Sequence, residues 1–186
     1  MRKMRDQLLL AGAVLMVGFS AISVVAADRD ASLYVGMKSC GMCHKKAETG
    51  DQLGKWQASP HAKAFELLGT PEAKAAGAKV GVAEPQKSGK CLKCHATAYN
   101  FTEAVATDKI TPEEGVTCES CHGPGKNYKA KVVMEDKKKC IEGGMIVPAT
   151  KSCELCHNSQ SPTWKGGFNA EKAFEQIKHP DPKVQK

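Results

Sequence analysis

The chain has 186 residues, 41% hydrophobic but only 5% aromatic, with nine cysteines and a formal charge of +7. The length fits one domain, and so few large flat side chains exclude a core built in the usual way around Phe, Tyr and Trp. A basic charge of this size is ordinarily a reason to consider nucleic acid, but the termini and the cysteines remove that reason.

The chain opens on MRKMR, residues 8–25 carry no charge, and Val24-Val25-Ala26-Ala27 supplies small residues. That is the pattern of an export signal cleaved after Ala26 or Ala27. It divides the chain into a signal peptide, 1–27, and one mature domain, 28–186. The rival reading is a retained membrane anchor, since an uncharged run of 18 residues just spans a bilayer. Gly12, Gly18, Ser20 and Ser23 argue against it. Arg2, Lys3 and Arg5 against Asp6 give the signal +2, leaving +5 of the +7 on the mature chain.

Cys40-Gly41-Met42-Cys43-His44 is the first of four copies of one pattern. The others are Cys91-Leu92-Lys93-Cys94-His95, Cys118-Glu119-Ser120-Cys121-His122 and Cys153-Glu154-Leu155-Cys156-His157. They absorb eight of nine cysteines and four of six histidines. This is the attachment signature of a c-type haem. In one helical turn i, i+3 and i+4 share a face, so two thiols meet the vinyl groups of a porphyrin edge and the histidine ligates iron. Zinc is the rival for CxxC pairs, but zinc does not require a histidine directly after every second cysteine.

Four covalently attached c-type haems are therefore expected, with about 40 mature residues for each. That is close to the length below which a polypeptide core does not support itself. The haems should be the core, the fold mostly α with little strand, and the chain without haem unfolded. Each haem adds roughly −1 when oxidised and −2 when reduced, which brings the holoprotein near neutrality. Lysines then read as partners of haem propionates and as a docking surface for redox proteins; no nucleic-acid partner is expected.

Between the motifs, 55–68 reads as a helix with Ser59 as its cap, Pro60 as its first residue, and Phe65 and Leu68 on one face. His61 lies in its first turn, either as an exposed histidine or, the favoured reading, as a distal iron ligand. Residues 70–82 read as a weak helix capped at Thr70-Pro71, and 96–110 as a hairpin or loop. Thr111-Pro112-Glu113-Glu114 has capping-box spacing. Gly123-Pro124-Gly125 ends the third motif and allows close approach of backbone to porphyrin. A second helix is expected over 128–142, closed by Gly143-Gly144, with its lysine run as a solvated face and Cys140 as a small buried filler, the favoured reading, or a reactive or cross-linking thiol. Asn169 caps a last helix, 170–178, with Phe168 as a possible staple. Pro180 stops that helix and leaves His179 at its end.

Four irons offer eight axial positions. After His44, His95, His122 and His157, only His61 and His179 remain. At most two haems are then bis-histidine, and two irons take another ligand or stay open. Of the mature methionines Met37, Met42, Met134 and Met145, Met134 is best placed to serve.

Three stretches go beyond the bare motif: SPHAKAF at 59–65, GVTCESCHGPGKNY at 115–128, and CHNSQSPTWKG at 156–166 followed by the late His179. They resemble the tetrahaem cytochrome c-554 family, electron carriers first met in ammonia-oxidising bacteria, and the resemblance runs from about residue 36 to 180. It implies a mostly helical fold with haems in close stacked and perpendicular pairs. It also implies His61 opposite His122, His179 opposite His157, and a five-coordinate iron on His95. The family's distal histidine for the first haem falls at Val132 here, so that iron is either ligated by Met134 or open.

The function expected is periplasmic electron carriage between redox partner proteins, alone or within a cytochrome complex. The alternative is a reductase or oxidase of a small nitrogen or oxygen species at an open iron. That alternative wants positioned donors, and Arg29 is the single arginine after the signal.

Overall fold

A computed structural model describes residues 30–99 and 108–179. The expected export signal, most of 96–110 and the tail after His179 lie outside the described residues. About half of what is described is helical, and it forms no β-sheet. The mostly α expectation is met.

The helices are short: α1 (Met37–Gly41), α2 (Gln52–Gln57), α3 (Ala64–Leu67), α4 (Pro71–Ala78), α5 (Gly89–His95), α6 (Cys118–His122), α7 (Lys131–Met134), α8 (Lys137–Glu142), α9 (Thr150–Cys153) and α10 (Ala170–Ile177). Isolated helices of this length are not stable in water, so packing must hold them. Apolar packing from the chain itself is sparse. One cluster buries Tyr34, Ala98 and Ile110; a second buries Leu68, Leu92 and Ala96 beneath Phe65 and Tyr99.

Two expected helices are broken. The 55–68 stretch divides into α2, a 3-10 turn at Pro60–Lys63, and α3. Ser59 does not cap the turn; its hydroxyl donates to the Trp56 carbonyl at 2.7 Å and closes α2. The 128–142 stretch divides into α7 and α8, because Asp136 turns its carboxylate to the Lys138 and Lys139 N–H groups, at 2.9 and 3.2 Å, and starts a new helix. The lysines of this stretch form exposed pairs with Glu135, Asp136 and Glu142, which contribute little. Cys140 is buried, as expected of a filler.

Two caps are where the sequence puts them. Thr70 Oγ1 accepts from Ala73 N at 3.2 Å and Asn169 Oδ1 from Lys172 N at 2.8 Å. Thr111 does not form its box; residues Pro112–Glu114 make a 3-10 turn without a side-chain cap.

Candidate haem centres

Each Cys-x-x-Cys-His segment is helical or turn at its core, which puts both thiols and the imidazole on one side. None of the nine cysteines is in a disulfide. Among the described residues no three His, Cys, Asp or Glu side chains converge as a zinc knuckle requires.

The thiols of different motifs approach one another in a definite order. Cys40 and Cys118 are hydrogen-bonded, which pushes the Cys40 thiol up and pulls Cys118 down. Cys94 and Cys156 are likewise bonded, and Cys94 is pulled down to about 7. Cys121 is pushed up by burial and then by the neighbouring Cys153. The attachment points thus follow one another as first, third, fourth, second.

The two spare histidines each face a motif histidine. His61 and His157 have ring centroids 6.1 Å apart at 60°; His122 and His179 are 5.8 Å apart at 35°. This is the reverse of the pairing implied by the resemblance. Metal–imidazole bonds of about 2 Å put two rings on opposite faces of one ion roughly 6 Å apart, centre to centre. The observed spacings fit an iron between each pair. Burial first, then the facing histidine, lowers the pKa of His61 and of His122. His157 is lowered by burial and by His95. Neutral imidazole is the form that ligates.

His61 is held by the entrance to the third motif. Val116 N donates to the His61 carbonyl at 3.0 Å, and Trp56 Nε1 donates to the Val116 carbonyl at 2.7 Å. Gly115 sits at φ +70, where a Cβ would lie 2.6 Å from the His61 oxygen, so only glycine allows this approach. His179 follows α10, which packs on α9 of the fourth motif.

Three motif imidazoles are oriented through Nδ1: His95 to the Ala64 carbonyl at 2.8 Å, His122 to the Ile146 carbonyl at 3.2 Å, and His44 to Gln52 Oε1 at 3.4 Å. Such outer partners set the tautomer and aim Nε2 at a metal. Among the described residues no ring pairing sets a second histidine opposite His44 or His95. Met134 Sδ receives the Cys140 thiol at 3.8 Å, and Val132 is exposed.

Sequence reasoning missed Glu119. It is 2% exposed, and its carboxylate accepts N–H groups of Val35, Gly36 and Gly125 at 2.7–3.2 Å. It ties the lead into the first motif to the exit of the third. Nothing in the pentapeptide marks it, since Glu154 holds the same position in the fourth motif and is exposed. A role of Phe168 toward a motif was also missed: its ring lies flat on His157.

Residues 39–123 match the family model described as cytochrome c554 and c-prime. Over 150 residues the chain is 29% identical to cytochrome c-554 of Nitrosomonas europaea. The alignment covers 72% of this chain and 61% of that relative. No solved structure matches. Attachment motifs, facing histidines and these likenesses point the same way: over these spans the chain is similar to cytochromes of the c-554 kind.

Proposed function

We propose that this chain is a periplasmic tetrahaem cytochrome that passes electrons between redox partner proteins, entering and leaving at the ends of the order first, third, fourth, second. The observation that carries this reading is the pair of facing histidines, His61 with His157 and His122 with His179, at the spacing that an iron between them demands. When bound, haem supplies one-electron iron chemistry.

The residues divide the work. Cys40 and Cys43, Cys91 and Cys94, Cys118 and Cys121, and Cys153 and Cys156 would fix the porphyrin edges. His44, His95, His122 and His157 would take the near side of each iron. His61 and His179 would close the far side of the fourth and third, which makes the two middle sites the bis-histidine ones. Bis-histidine ligation lowers potential relative to Met/His ligation, so middle and ends differ. At the first site Met134 is the chain's candidate for the far side, although its thioether already takes the Cys140 thiol.

The test is an optical and electron paramagnetic resonance (EPR) count of low-spin and high-spin irons in the holoprotein, with its mass for haem number. Four haems are expected. His61→Ala and His179→Ala should each convert one low-spin iron to high-spin. If neither changes the count, the ligand assignment fails. A second reading, reduction of a small nitrogen or oxygen species, is favoured only by the lack, among the described residues, of a second histidine ring paired with His44 or His95. Turnover of such a species by the pure protein would establish it.

A further inference from the structure

Three of the four motif histidines have a fixed hydrogen-bond acceptor at Nδ1. Among the described residues His157 has none. Its ring is held in another way. Phe168 lies parallel to it, with centroids 4.5 Å apart and 2° between the planes. Trp164 in turn lies tilted against Phe168, at 6.3 Å and 50°.

The local chain explains how the ring arrives there. Gly166 and Gly167 both have positive φ, +75 and +72, and reverse the backbone just ahead of Phe168. Asn169 then caps α10 and fixes the direction of departure. Phe168 is pinned between a glycine reversal and a capped helix, and it is half-buried against an imidazole that is itself exposed.

We propose that Phe168 is the positioning residue of His157: it sets the plane of the imidazole by stacking, where the other three motif histidines are set by hydrogen bonds. The proposal rests on the ligand reading above. A hydrogen bond at Nδ1 restrains the ring at one edge atom, whereas a parallel ring over its face resists any turn of the plane about the bond to the metal. The angle between two axial imidazole planes decides how far the two π-type d orbitals of iron are split. Near-parallel planes split them strongly and crossed planes weakly. The 35° pair, His122 with His179, and the 60° pair, His61 with His157, should therefore give distinct low-spin signals. Phe168 keeps the second of these sharp.

The experiment is EPR on the oxidised holoprotein, with redox titration of each site. His61→Ala identifies the signal of the fourth site by removing it. Phe168→Leu should shift or broaden that signal and move that site's potential, leaving the His122–His179 signal in place. Phe168→Tyr, which keeps a flat ring, should restore the wild-type signal. Phe168→Met fills the volume without a plane and should behave as Leu; it serves if the Leu variant does not accumulate. An unaltered fourth-site signal and potential in Phe168→Leu or Phe168→Met overturns the proposal. Loss of no signal in His61→Ala overturns the ligand reading instead.

Discussion

The third and fourth motifs carry the same pattern, Cys-Glu-x-Cys-His, and live in opposite surroundings. Glu119 is sealed beneath three backbone N–H groups, and Ser120 joins a hydroxyl network with Thr97 and Thr117. Tyr128 donates to the His122 and Gly123 carbonyls at 3.1 and 2.6 Å. In the fourth motif Glu154 is exposed and Leu155 is 69% exposed. Its histidine leans on an aromatic ring rather than on backbone. The pentapeptide fixes only the attachment chemistry. Segments far away in sequence decide whether such a motif is sealed within the chain or open at its surface.

The largest test removes what both motifs share. Helices this short around two small apolar clusters should not hold without haem. The chain expressed without haem attachment should show no cooperative transition by far-UV circular dichroism; a native-like melt would show that protein packing alone suffices. Next comes the contrast itself. Glu119→Ala strands three buried N–H groups, at about 1–3 kcal/mol each, and should cost about 3 kcal/mol or more. Glu154→Ala should stay within about 0.5 kcal/mol. Denaturant unfolding of the two holoproteins measures both, and equal effects would erase the difference drawn here.

A smaller effect is expected at Tyr128. Burial first, then Cys40 and Glu119, pushes its phenol up. The fold needs the neutral form, whereas the unfolded chain ionises near about pH 10. The native state therefore holds the proton more tightly, and this contribution is complete below that pH and lost as pH rises beyond it. Tyr128→Phe should cost about 1–2 kcal/mol at neutral pH, and wild-type stability should fall toward the variant's above pH ~10. Parallel curves to high pH would contradict the burial argument. Smallest of all, Leu155→Ser should change stability by less than about 0.5 kcal/mol.

Much of this was legible because covalent chemistry leaves short, local signatures. Four attachment motifs and two spare histidines can be counted without a structure. Pairing those histidines is a long-range matter. The backbone of His61 is bonded to Val116, at the door of the third motif, yet its ring faces the fourth. The broken helices have local causes of a subtler kind. Ser59 and Asp136 each satisfy backbone groups in a way that competes with helix continuation. Phe168 sits where a staple belongs, and no periodicity tells a phenyl ring that packs on its own helix from one that packs on a distant imidazole.

The closure at Glu119 also imposes an order of assembly. Val35 and Glu119 are 84 positions apart, and a chain is synthesised from its N-terminus. The first pair of thiols is delivered long before the carboxylate that locks the segment leading into it. Until then that segment has no anchor, and closing so long a loop carries an entropic cost that only later contacts offset. The segment before the first motif is thus the one held open longest, and it is sealed only when the third motif arrives.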